Sequence, residues 1–186
     1  NIPDSGKYLI WVLGRNHAFE SHSNYVIEGL VEFLCSNDEK AIRLRKYAII
    51  YIVPIMDVDM VSVGGSGKNQ TPVDFNRYWE SATHWNAVAA VKNKIEETSK
   101  SNQIKLFIDS HNPWPGSDEI RNQCFFYSTC DSGKKSENLD FFRTQLEING
   151  GYKFKRRTSY PTEGLNAAKF VNSYYPVIDI STSLET

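Results

Sequence analysis

The stretch YLIWVLGRNHAFES, residues 8–21, decides how this chain is interpreted. Its first six residues are apolar, aromatic or β-branched, so they predict a buried strand over Tyr8–Leu13. The loop that follows carries a histidine and a carboxylate three residues apart, His17 and Glu20. Neutral imidazole and carboxylate are ordinary zinc ligands, and a catalytic site takes three protein ligands beside an open position. The stretch therefore predicts a strand that leads into part of a metal site.

Strand and helix patterns alternate along the rest of the chain. Apolar runs predict further strands at Tyr47–Pro54, Ile104–Asp109, Gln123–Ser128 and Val177–Ser181, with an exposed edge strand at Tyr152–Arg156. Helices are predicted after Ser21 or Ser23, at Asp38–Lys46, at Trp85–Thr98, at Glu137–Ile148 and near Leu165–Val171. This alternation predicts an α/β fold: a single domain over residues 1–186, with a mixed, twisted sheet and helices on both faces.

Two of these elements carry more specific predictions. The nearly continuous apolar run of Tyr47–Pro54 is typical of a strand that is covered on both faces. The first helix is expected to bury one apolar face against the sheet. That face consists of Tyr25, Val26, Leu30, Phe33 and Leu34.

The composition argues against several classes of protein. The chain has 186 residues, of which 40% are hydrophobic and 23% are charged, and its formal net charge is −1. These values are ordinary for a globular domain, so we expect no nucleic-acid partner and no attraction to a membrane surface. None of Cys35, Cys124 and Cys130 lies in a CxxC motif or a Cys/His cluster. Neither a disulfide framework nor a zinc finger is therefore predicted.

The ends of the chain bear on its origin. It begins at Asn1 rather than at a methionine and stops at Thr186, directly after the last predicted strand, so we expect a domain trimmed at both ends. No apolar run is long enough to span a membrane, and no leader precedes the first strand. A soluble protein is expected, either cytoplasmic or exported after loss of a leader. The sequence does not indicate an oligomeric state.

A second histidine at a strand end is the simplest candidate for the third metal ligand. His111 follows an apolar strand directly, as His17 and the late Glu185 follow theirs. Ligands collect at the carboxyl ends of strands in such sheets, so one cleft can gather all three side chains. The alternative is that the histidines are satisfied loop residues and that the glutamate is solvated. His22 and His84 lack such a setting and are expected to be surface or structural residues.

A polar group of side chains lies between the proposed ligands, in the stretch Asp74-Phe75-Asn76-Arg77. The planar guanidinium of Arg77 matches a substrate carboxylate, and Asn76 can donate a hydrogen bond beside it. Asp74 is suited to orient a ligand histidine by accepting a hydrogen bond from its other ring nitrogen. The alternative interpretation is a solvated charged loop.

Taken in order, the motifs His17-x-x-Glu20, Asp74-Phe75-Asn76-Arg77, Asp109-Ser110-His111 and the late Glu185 resemble those of the M14 zinc carboxypeptidases. The resemblance covers nearly the whole chain. The context Asn-His-Ala-Phe-Glu-Ser and the helix after it are closer to the cytosolic carboxypeptidase-like branch than to the digestive enzymes. The resemblance implies a Zn²⁺ cofactor held by His17, Glu20 and His111, with peptide or protein C-termini as substrates.

The resemblance also implies roles for the remaining motif residues. Asn76 and Arg77 would hold the terminal carboxylate of the substrate. Glu185 would be the catalytic glutamate, which takes a proton from the zinc-activated water and passes it to the leaving amine.

One tyrosine is similar to the mobile tyrosine that covers the substrate in this family. Tyr160 is that residue, because it lies shortly before Gly164 and at a suitable distance from Glu185. Tyr152 and Tyr174 compete with it on residue type alone. A tyrosine is otherwise more often a packing or surface residue.

The chain departs from the family pattern at the arginine that helps to stabilise the oxyanion formed during attack. No arginine occurs between Arg45 and Arg77, and the side chains nearby that can donate are Lys68 and Gln70. Loss of one oxyanion donor lowers the rate of such enzymes by about a hundredfold or more. Lys68 is therefore the candidate replacement, and the missing arginine argues for slow turnover.

Three functions are compatible with these motifs. The first is a zinc-dependent metallocarboxypeptidase. The second is a zinc deacylase or amidohydrolase that acts on N-acyl amino acids, since it needs the same metal chemistry. The third is a catalytically weak pseudoenzyme that binds peptide termini or cell-wall fragments, which the missing arginine favours.

Overall fold

The computed structural model describes residues 3–68, 70–81, 84–113, 123–158 and 163–186. The strands are β1 (Tyr8–Gly14), β2 (Ala48–Val53), β3 (Ile104–His111), β4 (Cys124–Ser128), β5 (Phe154–Thr158) and β6 (Ile180–Glu185). The helices are α1 (His22–Cys35), α2 (Glu39–Tyr47), α3 (Val58–Ser62), α4 (Asn86–Ser99), α5 (Gly133–Gly150) and α6 (Ala167–Tyr174). A single 3-10 turn, Asp4–Gly6, precedes β1. Among these helices, none is both long enough and apolar enough to cross a membrane.

The six strands form one sheet in the order β2-β1-β3-β6-β4-β5. Strands β2, β1, β3 and β6 run parallel, β4 runs antiparallel to β6, and β5 runs parallel to β4. The predicted mixed sheet is therefore confirmed. Because β1, β3 and β6 are parallel neighbours, the residues at their carboxyl ends meet at one edge of the sheet.

Different helices cover the two faces of the sheet. The larger apolar cluster joins one face to α4 and α6, and includes Trp11, Leu13, Phe107, Ile95 and Val171. A smaller cluster joins the other face to α5, and includes Phe126, Leu139 and Leu184. The prediction of helices on both faces is confirmed.

Strand β2 lies at an edge of the sheet and pairs with β1 alone among the described strands. All its residues after Ala48 are half-buried, so the residues of both faces are partly covered. The apolar run did not indicate the edge position, because that position depends on which strands become neighbours.

Helix α1 buries only part of the predicted face. Its buried residues are Ser23, Ile27 and Leu34, whereas Tyr25 is 72% exposed and Val26 is 38% exposed. Apolar residues occur on more than one side of this helix, so periodicity alone admits more than one face. Contact with the sheet decides between them, and the prediction for Tyr25 and Val26 is wrong.

The last strand begins and ends later than predicted, at Ile180–Glu185. Two of its three buried hydroxyl residues have an acceptor: Ser181 Oγ donates to the carbonyl of Ala168 at 2.7 Å and Thr182 Oγ1 donates to that of Tyr127 at 2.8 Å. Satisfied in this way, a polar stretch can lie inside the sheet. Glu185 is consequently the final residue of β6 rather than a residue beyond the strand.

Helix α5 is longer than predicted but ends where the sequence indicates. It stops at Gly150, and Gly151 follows with a left-handed φ of 74° while its N–H donates to the carbonyl of Glu147. Glycine adopts this conformation without the steric cost that other residues meet.

Candidate metal centre

Backbone and side-chain contacts at Gly14 and Arg15 fix the shape of the loop after β1. Gly14 leaves no room for a side chain, because an added Cβ would lie 2.5 Å from Ile27 Cδ1 and 2.9 Å from the Pro54 carbonyl oxygen. Arg15 has a left-handed φ of 51°, and its Nε donates to the carbonyl of Ala18 at 2.9 Å. These contacts turn the chain so that the next residues fold back over the carboxyl end of the sheet.

Three side chains that can bind a metal ion meet at this end of the sheet. The donor atoms of His17, Glu20 and His111 lie within 4.8 Å of one another. Glu20 Oε1 is 2.9 Å from His17 Nδ1, and Glu20 Oε2 is 2.6 Å from His111 Nδ1. The three residues are buried, with 1–3% of their surface exposed.

A second carboxylate faces the outer nitrogen of each histidine. Both oxygens of Asp74 lie near His17 Nε2, at 3.0 and 3.1 Å. Asp109 Oδ2 lies 2.8 Å from His111 Nε2. Such a carboxylate partner on Nε2 is the arrangement in which Nδ1 offers its lone pair to a metal ion.

Asp109 belongs to the motif Asp109-Ser110-His111, but no role of its own was predicted for it from the sequence. It lies two residues before His111 in β3, so both side chains point to the same face of the sheet. Asp109 is fully buried, and its oxygens also accept from Asn16 Nδ2 at 2.7 Å and Asn76 Nδ2 at 2.9 Å. The asparagine partners come from distant parts of the chain, and no local pattern could have identified them.

The predicted carboxylate-binding pair is divided between the interior and the surface. Asn76 is 2% exposed, and its Oδ1 accepts from the backbone N–H of Ala167 at 2.9 Å. The side chain of Arg77 is 22% exposed, and its Nη1 donates to the carbonyl of Asn76 at 2.9 Å. Asp74 lies 3.9 Å from the same Arg77 nitrogen. The guanidinium is thus close to the cluster and accessible.

Lys68 reaches the cluster directly. Its Nζ lies 2.9 Å from His17 Nδ1 and 3.1 Å from Glu20 Oε1. The approach depends on Gly67, which has a φ of 76° and where an added Cβ would lie 2.5 Å from the backbone nitrogen of Ala18. The other candidate donor, Gln70, bonds elsewhere.

Gln70 faces a different buried carboxylate. Its Nε2 donates to Asp57 Oδ2 at 2.6 Å, and Asp57 also accepts from the N–H of Met60 at 3.2 Å. Burial raises the pKa of the Asp57 carboxyl. The bond between Gln70 and Asp57 fixes the loop that carries Lys68.

Glu185 lies beside the cluster in a setting that favours its protonated form. It is 8% exposed and occupies the position in β6 that pairs with His111 in β3. Burial raises the pKa of Glu185 to about 7; Glu20 and Asp109 act in the same direction, while His111 and Lys68 oppose it. A carboxyl with this pKa can take up or release a proton near neutral pH.

The pKa values of two nearby carboxylates, Glu20 and Asp74, are shifted in the opposite direction. Burial acts to raise the pKa of Glu20, but His111 and His17 outweigh it and hold that pKa well below its usual value. The pKa of Asp74 is also lowered, because His17 and Arg77 outweigh its burial. Environment thus separates Glu185 from its neighbours, as a division between a base and ligands requires.

The remaining candidates lie outside the cluster. Tyr160 lies outside the described residues, while Tyr152 and Tyr174 are 69% and 56% exposed. His22 and His84 are exposed, in agreement with a surface role.

The chain belongs to the zinc carboxypeptidase family, whose profile (Peptidase_M14) matches residues 3–141. Cytosolic carboxypeptidase 6 of Caenorhabditis elegans is 29% identical over 139 residues, which are 73% of this chain and 29% of that protein. The human protein of the same name is 28% identical over 107 residues, which are 55% of this chain and 21% of its own length. The chain therefore spans less than a third of the length of these relatives.

The fold is also found among solved structures. A metallo-carboxypeptidase from Burkholderia cenocepacia superimposes with a TM-score of 0.81 at 22% identity, over 97% of this chain and 48% of that one. The family and fold that the motifs implied are thus confirmed, and the curated relatives carry the name of the cytosolic branch.

Proposed function

We propose that this chain carries the catalytic centre of a zinc metallocarboxypeptidase, which hydrolyses the C-terminal peptide bond of its substrates. The observation that supports the proposal is that the buried side chains of His17, Glu20 and His111 bring their donor atoms within 4.8 Å of one another. Because the chain spans less than a third of its curated relatives, the activity is proposed for the protein that contains it. The names of those relatives favour the cytoplasm over export as its location.

The donor set fits zinc. Two imidazole nitrogens and one carboxylate are a normal ligand set for a catalytic zinc ion and leave a position open. Asp74 and Asp109 face the outer nitrogens of His17 and His111, as the partners of metal-bound imidazoles usually do. Zinc bound by these residues and Glu20 would supply a Lewis acid that lowers the pKa of a water molecule and polarises the substrate carbonyl.

Glu185 is proposed to move the proton. Its raised pKa suits a group that accepts a proton from the attacking water and later donates it to the leaving amine. Its burial keeps bulk water away from that proton. Position and environment therefore agree with the role of general base.

Arg77 is proposed to bind the terminal carboxylate of the substrate, since its accessible guanidinium can form two parallel hydrogen bonds with it. Asn76 is proposed to donate beside it. One hydrogen of its amide goes to Asp109, and the same nitrogen lies 3.0 Å from His111 Nε2. When His111 Nε2 itself donates to Asp109, it does not accept from Asn76, and the second amide hydrogen can go to the substrate. Tyr160 is proposed to cover the bound substrate.

Lys68 is proposed to stabilise the oxyanion in place of the expected arginine. Its ammonium is near the cluster, but it is a compact point charge rather than a planar fork. This substitution is also the observation that favours the second candidate, a protein that binds peptide termini with little or no turnover.

The test is release of C-terminal amino acids from a peptide panel by the zinc-loaded protein that contains this chain. We expect release, and we expect Glu185→Gln to abolish it while zinc stays bound. Cleavage of N-acyl amino acids but not of peptides would favour the deacylase instead. Peptide binding without release, even at high protein concentration, would favour the binding protein.

A further inference from the structure

The contacts of His17 fit a positive group inside the cluster. Its Nε2 faces both oxygens of Asp74, which can only accept, and its Nδ1 lies 2.9 Å from Lys68 Nζ, which can only donate. His17 Nδ1 then presents a lone pair, 2.9 Å from Glu20 Oε1. Two acceptors at this distance repel each other unless a cation lies against both.

The ammonium of Lys68 satisfies this requirement. It lies within hydrogen-bond distance of both atoms, at 2.9 Å from His17 Nδ1 and 3.1 Å from Glu20 Oε1, and it can donate to each. The side chain is 28% exposed, so solvent is open to it as an alternative position. Gly67 and the bond between Gln70 and Asp57 hold its backbone close by.

We propose that Lys68 is a tethered cation that competes with zinc for His17 and Glu20. The inference rests on the proposed function, because it takes these two residues as zinc ligands. The lone pair of His17 and Oε1 of Glu20 can bind the ammonium or the metal ion, but not both. Zinc binding therefore displaces the lysine side chain toward solvent, where the same loop keeps it near the cluster.

The competition lowers the apparent affinity for zinc, because only the fraction of molecules with the lysine displaced can bind the ion. Hydrogen bonds to charged groups are strong enough to keep that fraction at about one-tenth to one-hundredth. Removal of the ammonium should strengthen zinc binding by the same factor. The protein would thus exchange zinc more readily than its buried donor set alone suggests.

The experiment measures zinc dissociation constants by competition with a chromophoric chelator. Lys68→Met keeps an unbranched side chain one atom shorter and removes the charge, and we expect it to bind zinc about tenfold to a hundredfold more tightly than the wild type. The matched control is Lys105→Met. Lys105 is 29% exposed and pairs with Asp179 at 3.2 Å, at the opposite end of β3, so its loss should leave zinc affinity unchanged.

A double variant separates direct competition from repulsion through space. Lys68→Met combined with Gln70→Lys returns a positive charge to the same loop, but at the side chain that faces Asp57. Competition predicts that zinc binding stays as tight as in Lys68→Met. A return to the wild-type affinity would overturn the proposal in favour of simple repulsion.

The outcomes distinguish this inference from the function on which it rests. Folding of each variant is checked by far-UV circular dichroism, and Lys68→Gln replaces Lys68→Met if the latter does not fold. Equal affinities of the wild type and the charge-free variant, with binding lost in His17→Ala, would overturn the competition alone. Zinc binding that is unaffected by His17→Ala would overturn the metal centre as well.

Discussion

Strands β1 and β3 each consist of an apolar middle and lead to a polar end, and the two regions are buried to the same extent. Trp11 and Phe107 in the middle are 2% and 0% exposed, while Asp109 and His111 at the end are 0% and 3% exposed. Burial of the middle is favourable by itself. Burial of the end is costly unless each polar atom has a partner. The stability of the apolar middle thus depends on how well side chains fill its volume, whereas that of the polar end depends on a hydrogen-bond or charge partner for each polar atom.

The largest loss of stability is expected from a substitution in the apolar middle of the sheet. Phe107→Ala should lower the free energy of unfolding by about 3–5 kcal/mol, because it opens a cavity in the larger apolar cluster. Phe141→Ala, at a residue that is 67% exposed, is the matched control and should cost no more than about 0.5 kcal/mol. Urea denaturation measures both. Equal losses would mean that Phe107 does not lie in the core.

At the polar end, the cost of an unpaired charge should appear as a dependence on pH. The pKa of Glu185 is raised from 4.5 to about 7, so unfolding lets this carboxyl ionise more readily. Stability therefore falls as the pH rises from 4.5 to 7, by roughly 3 kcal/mol in total, because the unfolded chain has lost this proton while the folded protein still holds it. Glu185→Gln should lack this contribution.

The measurement is urea denaturation at pH 5 and pH 8 with a chelator present, because bound zinc would lower the pKa of the carboxyl. The stability of Glu185→Gln relative to wild type should be greater at pH 8 than at pH 5. A difference that does not change with pH would show that Glu185 is not held protonated.

Pairing at the polar end can be weakened without a change in volume. Asp109→Asn keeps the size of the side chain but removes the charge that His111 Nε2 faces, so zinc affinity should fall about tenfold to a hundredfold. Asp140→Asn, at an exposed partner of Arg156, is the control and should leave zinc affinity unchanged. If Asp109→Asn also leaves zinc affinity unchanged, the carboxylate beside His111 Nε2 does not contribute to zinc binding.

The smallest expected effect concerns the side of α1 that faces solvent. Tyr25→Ala should change stability by no more than about 0.5 kcal/mol, since Tyr25 is 72% exposed. Ile27→Val removes only one methylene but should cost about 0.5–1.5 kcal/mol, because Ile27 is 3% exposed. A larger loss of stability for Tyr25→Ala than for Ile27→Val, measured by thermal or urea denaturation, would show that α1 buries the face predicted from the sequence.

The sequence predicted the features that depend on the local pattern of residues. The apolar runs of β1 and β3 have strong periodicity and clear ends, so the strands and the meeting of His17 with His111 could be expected. The edge position of β2 and the buried face of α1 could not. They depend on which elements become neighbours, and a single segment does not hold that information.

The same limit applies inside the candidate site. Asp74 was anticipated as a partner of a ligand histidine because it lies in a recognisable motif, and it faces His17. The bonds from Asn16 and Asn76 to Asp109 were not anticipated, because they join residues 93 and 33 positions apart in the chain. Pairing at the polar end is long-range, which is why composition and spacing indicated the ligands but not their support.

The central claim is that His17, Glu20 and His111 form one zinc site, and metal analysis after equilibrium dialysis tests it most directly. The wild-type protein should retain about one equivalent of zinc, while Glu20→Ala and His111→Ala should each lose it and remain folded. Retention of zinc by both variants, or less than about one-tenth of an equivalent in the wild type after reconstitution, would contradict the account.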